Sequence, residues 1–169
     1  NVLDKAGFML GTTANFQTGP ASAWNGTNWL VVWSDSRLGS ADIYGARVDA
    51  MTNLLDPAGF LICAAAGAQE NPIAAWGGTN WLVMWEDHGA NPVEMRGARV
   101  SAGAQVLNPN GEVLAVSTGD QLTPAASWGG TNWLVAWADH REGGPRAYGA
   151  RVDKGMRVLD AGGFALCAQ

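Results

Sequence analysis

The chain has few charged residues, few cysteines and few histidines. Charged residues make up 15% of its 169 residues, with two cysteines and two histidines. The net charge of −5 and the absence of any Lys/Arg cluster exclude nucleic acid as an expected partner, because such a surface repels phosphate. Apolar runs stay far shorter than the roughly 20 residues of a membrane helix, so we predict no membrane-spanning helix. The sequence does not begin with basic residues followed by an apolar segment, so we predict no signal peptide in it.

Motifs of the well-known cofactor and metal sites are also missing. The sequence has no P-loop, dinucleotide fingerprint, zinc-ligand spacing or EF-hand loop, and no nucleophile elbow surrounds Ser117 or Ser127. Two cysteines are too few for a disulfide framework, and Cys63 and Cys167 lie two repeat periods apart. We therefore predict no cofactor, no bound metal and no bond between the two cysteines.

A repeated tryptophan-rich stretch dominates what is present. Trp76–Trp85 reads Trp-Gly-Gly-Thr-Asn-Trp-Leu-Val-Met-Trp, and equivalents begin at Trp24 and Trp128, each 52 residues away. The three copies contain all nine tryptophans of the chain. The same period gives repeats of approximately 1–52, 53–104 and 105–156, with 157–169 as the start of a fourth.

Each repeat predicts four short strands and no helix. In the second repeat the strands are expected at about 73–76, 81–86, 94–101 and 112–116, with a tight Gly-Gly-Thr-Asn turn after the first. The second strand is apolar at nearly every position, which predicts that both of its faces are covered, and we expect it to be the innermost strand. The fold class is therefore all-β, built from β-propeller-type blades plus an extra strand; a β-trefoil is the alternative.

One segment supports a family resemblance. Trp33-Ser34-Asp35-Ser36-Arg37, followed by Asp42-Ile43-Tyr44-Gly45, resembles tandem repeats of secreted bacterial proteins and is similar to the blades of TolB-type propellers. The later copies depart from it, with Glu86 and His88 in the second and Ala138 and His140 in the third. The resemblance implies six or more blades and a role in protein binding rather than catalysis.

Three blades are too few to close a ring, since propellers have at least four. The strand Gly163–Cys167 is expected to complete the third blade, whereas Gly7–Leu10 is expected to belong to a preceding one. Either the chain belongs to a longer array, or copies assemble; two chains would give six blades. We therefore expect the partners to be a second copy or further repeats.

Most recurring residues are interpreted as structural. Two tryptophans of each repeat are expected in the core between blades: Trp29, Trp33, Trp81, Trp85, Trp133 and Trp137. The aspartates that follow them favour loop-anchoring hydrogen bonds, because a catalytic site normally needs one asymmetric set of residues rather than three equal copies.

The variable loops after the second strands are the predicted ligand-binding rim. Its candidate residues are Asp35, Arg37, Asp42, Asp87, His88, Glu94, Asp139, His140 and Arg141. No catalytic residue is expected, and we predict a non-enzymatic binding or assembly module, extracellular or periplasmic, with a protein or glycan ligand. The alternatives are a lectin-like carbohydrate-binding module and a hydrolase or lyase that uses the Asp-His loops.

Overall fold

The computed structural model describes residues 6–10 and 15–167, and within these ranges it contains strands and turns but no helix. It follows that no helix there is long and apolar enough to cross a membrane. The strands, in chain order, are β1 (Gln17–Trp24), β2 (Asn28–Asp35), β3 (Asp42–Asp49), β4 (Phe60–Cys63), β5 (Gln69–Trp76), β6 (Asn80–Asp87), β7 (Glu94–Ser101), β8 (Glu112–Val113), β9 (Gln121–Trp128), β10 (Trp133–Asp139), β11 (Arg146–Val152) and β12 (Phe164–Ala165).

The strands form three separate antiparallel sheets, which we call blades one, two and three. Each sheet follows chain order, β1-β2-β3-β4, β5-β6-β7-β8 and β9-β10-β11-β12. Four consecutive strands joined as a meander are the blade of a propeller, so the predicted fold class is confirmed. The β-trefoil alternative is wrong, because each repeat forms its own sheet.

The first strand of each blade lies innermost. Strand β1 contacts β5, and β5 contacts β9, so the three first strands meet at a common axis. The prediction that the second strand is innermost is wrong, although that strand is the most deeply buried. Its apolar residues lie inside the sheet, between the axial strand and the third strand, and face neighbouring blades on both sides.

The blades pack through unlike faces. On one side of blade one, Leu30 and Val32 contact the cluster around Trp81, Val83 and Trp85 of blade two. The equivalent residues Leu82 and Met84 of blade two pack against Trp133, Val135 and Trp137 of blade three. A strand that carries one face to the preceding blade and another to the next needs apolar residues at every position, which explains the continuous run.

The outward faces of the first and last blades lack this cover. Trp29 is 43% exposed, whereas its equivalents Trp81 and Trp133 are fully buried. Leu134 is 43% exposed, whereas Leu30 and Leu82 are fully buried. The other tryptophans assigned to the core, Trp33, Trp85 and Trp137, are buried.

The last strand belongs to blade three, whereas the first described residues belong to no sheet. Strand β12 pairs with β11 in blade three, as expected for the Gly163–Cys167 segment. Residues 6–10 form no strand, and Leu10 packs on the Val31–Trp33 face of blade one. Both cysteines are free; Cys63 is buried and Cys167 is exposed.

Candidate functional site

A distorted position in each first strand shapes the centre of the molecule. Gly19, Asn71 and Thr123 hold equivalent positions, each precedes a proline, and each has a positive φ, of 60°, 51° and 53°. The pairing of the first strand with the second shifts register in every blade near this point. A positive φ is rare for a β-branched residue such as Thr123, and strained backbone of this kind clusters at functional sites.

The three distorted positions surround one open depression, which we call the axial hollow. Its volume is about 400 Å³. Residues from all three blades line it: Gly19, Pro20, Ala21, Asn71, Pro72, Ile73, Glu86, Thr123 and Pro124. The lining therefore combines an amide, a carboxylate and apolar ring or methyl groups.

Glu86 is the charged group of the axial hollow. It lies on β6 with only 3% of its surface exposed, at a repeat position where blade one has Ser34 and blade three has Ala138. Its Oε1 accepts a 2.7 Å hydrogen bond from the backbone N–H of Thr123, and its Oε2 accepts a 2.9 Å bond from Asn71 Nδ2. Donors from two blades thus hold a buried carboxylate in place, and the strained backbone at Thr123 supplies one of them.

His88 extends this arrangement to a second carboxylate. Its Nε2 lies 3.1 Å from Glu86 Oε2 and 3.8 Å from Glu70 Oε2. The side chains of His88 and Glu70 are 34% and 47% exposed, so they join the buried carboxylate to solvent. We call Glu70, Asn71, Glu86 and His88 the axial cluster; it occurs once, because no other blade carries this combination.

The recurring aspartates of the predicted rim serve as loop anchors. Asp35 accepts hydrogen bonds from Trp33 Nε1 at 3.0 Å and from Arg37 Nη2 at 2.6 Å. Burial alone would raise the pKa of Asp35, but the hydrogen bonds from Arg37 and Trp33 outweigh it and lower this pKa to about 2. The Arg37 guanidinium also stacks on Tyr44, 3.9 Å from the ring centre.

Blade three repeats this anchor with one addition. Asp139 accepts hydrogen bonds from Trp137, Arg141 and the hydroxyl of Ser117. Burial opposes ionisation of Asp139, but these donors, above all Arg141, hold its pKa well below the usual range. The Arg141 guanidinium lies 4.2 Å from the centre of the Tyr148 ring.

Blade two has a different anchor. Arg96 replaces the tyrosine, and its Nε lies 3.2 Å from Asp87 and 3.5 Å from Glu94. The cation therefore reaches the aspartate from the third strand instead of from the loop. Gly89 stands where blades one and three have Arg37 and Arg141, so the loop of blade two supplies no cation to Asp87.

Asp42 and His140, like the anchor residues, lie apart from the axial cluster. Asp42 is 2% exposed and pairs in register with Asp35 across β2 and β3; its Oδ2 has no hydrogen-bond partner among the described residues. Burial, reinforced by the Asp35 charge, raises the pKa of Asp42. His140 is half-buried, and in the described part of the chain only its backbone is hydrogen-bonded. Of the predicted rim residues, only His88 therefore belongs to the axial cluster.

Sequence reasoning missed Glu70, Asn71 and Glu86. Their signal is departure from the repeat: Thr18, Glu70 and Leu122 share one position, and Ser34, Glu86 and Ala138 share another. An ionisable residue inside an otherwise apolar second strand marks blade two as different. Within residues 6–10 and 15–167, no group of three His, Cys, Asp or Glu side chains has an arrangement that would hold a metal ion.

Comparisons with solved structures place this fold among propellers. The catalytic domain of the GH62 α-L-arabinofuranosidase of Coprinopsis cinerea matches with a TM-score of 0.57 and 9% identity, over 94% of this chain and 54% of that one. The α-L-arabinofuranosidase of Podospora anserina, solved with cellotriose, matches with a TM-score of 0.56 and 10% identity, over the same shares. No family model and no curated protein matches the sequence.

These matches correct the functional expectation. The prediction of a non-enzymatic binding or assembly module is wrong, because the solved proteins that the chain matches in fold are glycoside hydrolases. The chain spans about half the length of these proteins. At this identity the likeness establishes the fold, so a reaction has to be argued from the axial cluster itself.

Proposed function

We propose that this chain forms part of a propeller-type glycoside hydrolase that binds a carbohydrate in the axial hollow and cleaves it with the axial cluster. The observation that carries the proposal is Glu86, a buried carboxylate on the axis that occurs in one blade only. Inter-blade support alone does not require a carboxylate, since blades one and three have Ser34 and Ala138 there. The similar solved structures, both α-L-arabinofuranosidases, give independent support for this class of reaction.

The lining of the axial hollow suits a sugar. Sugars combine hydroxyl groups with apolar C–H faces, and such ligands need a few convergent polar groups on an apolar surface. Asn71 and Glu86 supply an amide and a carboxylate, while Pro20, Pro72 and Ile73 supply apolar surface. The wide opening of the hollow admits a polymer as well as a small glycoside.

Two carboxylates supply the chemistry that glycoside hydrolysis requires. One must act as an acid toward the leaving oxygen, and the other must act as base or nucleophile beside the positively charged sugar ring of the transition state. Glu86 takes the second role, because donors from Asn71 and Thr123 stabilise its negative charge. Fixed charge in a partly dehydrated site acts more strongly than the same charge in water.

Glu70 takes the role of the acid. It is half-exposed, so a proton lost to the leaving group can be replaced from solvent. Both Glu70 and Glu86 lie within 4 Å of the same nitrogen of His88, so they are close enough to act on one glycosidic bond. His88 positions the two carboxylates and can carry a proton between them.

An extracellular or periplasmic location follows from the same proposal. Polymeric glycans reach a secreted enzyme and not a cytoplasmic one, which supports an extracellular or periplasmic location. Detection of the protein in the periplasmic extract or culture medium of the source cells checks this. Detection in the cytoplasmic fraction alone would contradict it.

Activity measurements on matched variants test the reaction. The wild-type chain is assayed on nitrophenyl glycosides, beginning with the α-L-arabinofuranoside, and on plant polysaccharides. Glu86→Gln keeps the size of the side chain, and we expect it to lower kcat/KM by about 10²–10⁴-fold, the usual contribution of acid–base catalysis. Glu112→Gln, in the outer strand β8, should leave kcat/KM unchanged.

A thermal unfolding curve for each variant separates catalysis from folding. We expect the midpoint of Glu86→Gln to stay close to that of the wild type, because the amide oxygen still accepts the hydrogen bond from Thr123 and rotation of the Asn71 amide presents its Oδ1 to the new NH2 group. Absence of hydrolysis on every substrate would contradict the proposal. So would a Glu86→Gln variant as active as the wild type, because the activity would then come from elsewhere.

A further inference from the structure

The chain presents two unlike apolar faces at its ends. The leading face, on blade one, carries Trp29, which is 43% exposed, and a depression of about 320 Å³ over the buried Val31 and Val48. The trailing face, on blade three, carries Leu134, Phe164 and Leu166, which are 43%, 40% and 46% exposed. Exposed apolar surface of this kind on a sheet face needs a partner or favours aggregation.

The two faces are the two halves of an interface that the chain already forms twice. A leading face of blade two, with Trp81 and Val83, packs on the Leu30 and Ile62 side of blade one. A leading face of blade three packs in the same way on Leu82 and Leu114 of blade two. Leu134 and Leu166 on the trailing face hold the same repeat positions as Leu30 and Ile62 of blade one. Blade three therefore offers a further leading face the same kind of surface that blade one offers to blade two.

Hydrogen bonds of the tryptophans between blades also indicate that the leading face fits the trailing face. Trp81 Nε1 donates to the carbonyl of Ala23 in the preceding blade at 3.1 Å, and Trp133 Nε1 donates to Ala75 at 3.3 Å. The third member of this series is Trp29, whose Nε1 meets no acceptor within the described residues. The acceptor at the matching position is the carbonyl of Ser127, on the trailing blade.

Arginine hydrogen bonds provide a second, independent series. Arg47 Nη1 donates to the carbonyl of Ala102 in the following blade at 3.0 Å, and Arg99 Nη1 donates to that of Lys154 at 2.9 Å. Arg151 is bonded only to Asp160 in the described part of the chain, and its side chain is 55% exposed. Its Nη1 is therefore free to continue the series to a further blade.

We propose that a second copy of this chain binds head to tail, with the leading face of each copy on the trailing face of the other. Six blades fall within the range of known propeller rings, and a head-to-tail contact closes when its rotation completes the circle. Trp29 then donates to Ser127 of the second copy, and Arg151 donates to its Ala50. Three first strands line the axial hollow in one copy, and the first strands of the second copy line the other half of the axis, which leaves the ends of the axis open to a ligand.

The segment of residues 6–10 limits how this junction closes. Leu10 lies on the leading face and holds the same repeat position as Ile62, Leu114 and Leu166. Only one leucine fits there, so residues 6–10 give up this position to Leu166 of the second copy. The depression beside Phe8 and Leu10 marks the part of the face that this segment leaves uncovered.

Analytical ultracentrifugation tests the proposal and does not depend on catalysis. The wild type should sediment as a species of two chains. Leu134→Glu changes a half-exposed side chain on the trailing face and should give a folded monomer; Trp29→Glu should do the same from the leading face. Leu38→Glu, at a loop residue that is 64% exposed, should remain a dimer.

Mixing Leu134→Glu with Trp29→Glu tests whether the contact joins a leading face to a trailing face. Each variant keeps one intact face, so an equal mixture should form a two-chain species through one junction although each alone is monomeric. A wild type that stays monomeric at its highest soluble concentration would overturn the proposal. A Leu134→Glu variant that still forms dimers by itself, or a wild type that forms open polymers, would also overturn it; far- and near-ultraviolet dichroism checks the fold of each variant.

Discussion

At the scale of residues, Asp35 and Asp139 show how the chain keeps an ionised side chain inside an apolar blade. Each carboxylate is completely enclosed and accepts hydrogen bonds from a tryptophan and an arginine two residues away on either side. The arginine in turn stacks on a tyrosine of the third strand. One short loop is thereby tied to two strands, which explains why the Trp-x-Asp-x-Arg pattern recurs.

Replacing Asp35 with asparagine should destabilise the fold in a pH-dependent way. The pKa of Asp35 is lowered from 3.8 to about 2, so its contribution to stability is complete above pH 4 and disappears as the pH falls toward 2. The shift corresponds to about 2 kcal/mol of unfolding free energy at neutral pH. Urea unfolding of Asp35→Asn and wild type between pH 2 and 7 measures it, with Glu112→Gln as control; an equal deficit at every pH would contradict this origin.

The sequence predicted a structural role for the recurring aspartates, but it predicted neither their arginine partners nor the axial cluster, for a physical reason. Asp35, Asp87 and Asp139 occur in every repeat, whereas the variability of the loops that contain Arg37 and Arg141 predicts ligand binding there. Glu86 and Glu70 become neighbours only because the first strands converge on the axis, a fact of tertiary packing. The loop pattern predicts His88 as a candidate, but its partners Glu70 and Glu86 lie on strands for which the repeat predicts a structural role.

At the scale of elements, the turn before the fourth strand depends on a glycine beneath a tryptophan. Gly111 has a φ of 72°, and a Cβ placed on it would lie 2.5 Å from the Trp85 ring. Gly130, in a hairpin turn, has a φ of 87° but nothing within 4 Å of such a Cβ. The two positions share the backbone requirement and differ in packing.

Substitution by alanine should separate these two effects. Gly130→Ala should cost about 1–2 kcal/mol of unfolding free energy, the penalty for a left-handed backbone. Gly111→Ala should cost more, because the Trp85 ring must also shift inside the core between blades. Urea denaturation of both variants provides the comparison, and equal costs would contradict the packing term.

The tryptophan ladder between blades offers a second comparison of this kind. Trp81→Phe removes a buried hydrogen bond to Ala23 and should lower the unfolding free energy by about 1–3 kcal/mol. Trp85→Phe is the matched control, since Trp85 is equally buried and its Nε1 has no hydrogen-bond partner within the described residues. Both are measured in the Leu134→Glu background so that self-association does not contribute; a Trp85→Phe deficit as large as that of Trp81→Phe would contradict this role.

The sequence determined the elements well where periodicity was simple and less well where it was broken. The third strand of blade two occupies Glu94–Ser101, as predicted. The first strand begins at Gln69 instead of about 73, because the bulge at Asn71 and Pro72 concealed its start. The same bulges create the axial hollow, so the misread positions coincide with the candidate site.

At the scale of the whole molecule, association and folding should be coupled. Two junctions in the proposed ring would bury the leading and trailing faces, and partners that bind only the folded state raise its apparent stability. The thermal midpoint of the wild type should therefore rise with protein concentration. The midpoint of Leu134→Glu should not change; the same concentration dependence in both proteins would contradict the coupling.

The repeat predicted the architecture but led to the wrong class of function. Three equal copies of a motif suggested a scaffold, and the resemblance to TolB-type propellers reinforced a binding role. The matched solved structures are glycoside hydrolases, and Glu86, a carboxylate that occurs in one blade only, carries the proposed function. Repetition in this chain builds three similar blades, and the departures from repetition lie around the axial hollow.

A crystal structure of the Glu86→Gln variant with the oligosaccharide that the wild type hydrolyses fastest tests the proposed reaction most directly. We expect a sugar in the axial hollow, with its scissile bond between residues 70 and 86 and its ring against Pro72 and Ile73. A sugar bound on the outer rim beside Arg37 or Arg141, or an axial hollow that holds no sugar, would contradict it.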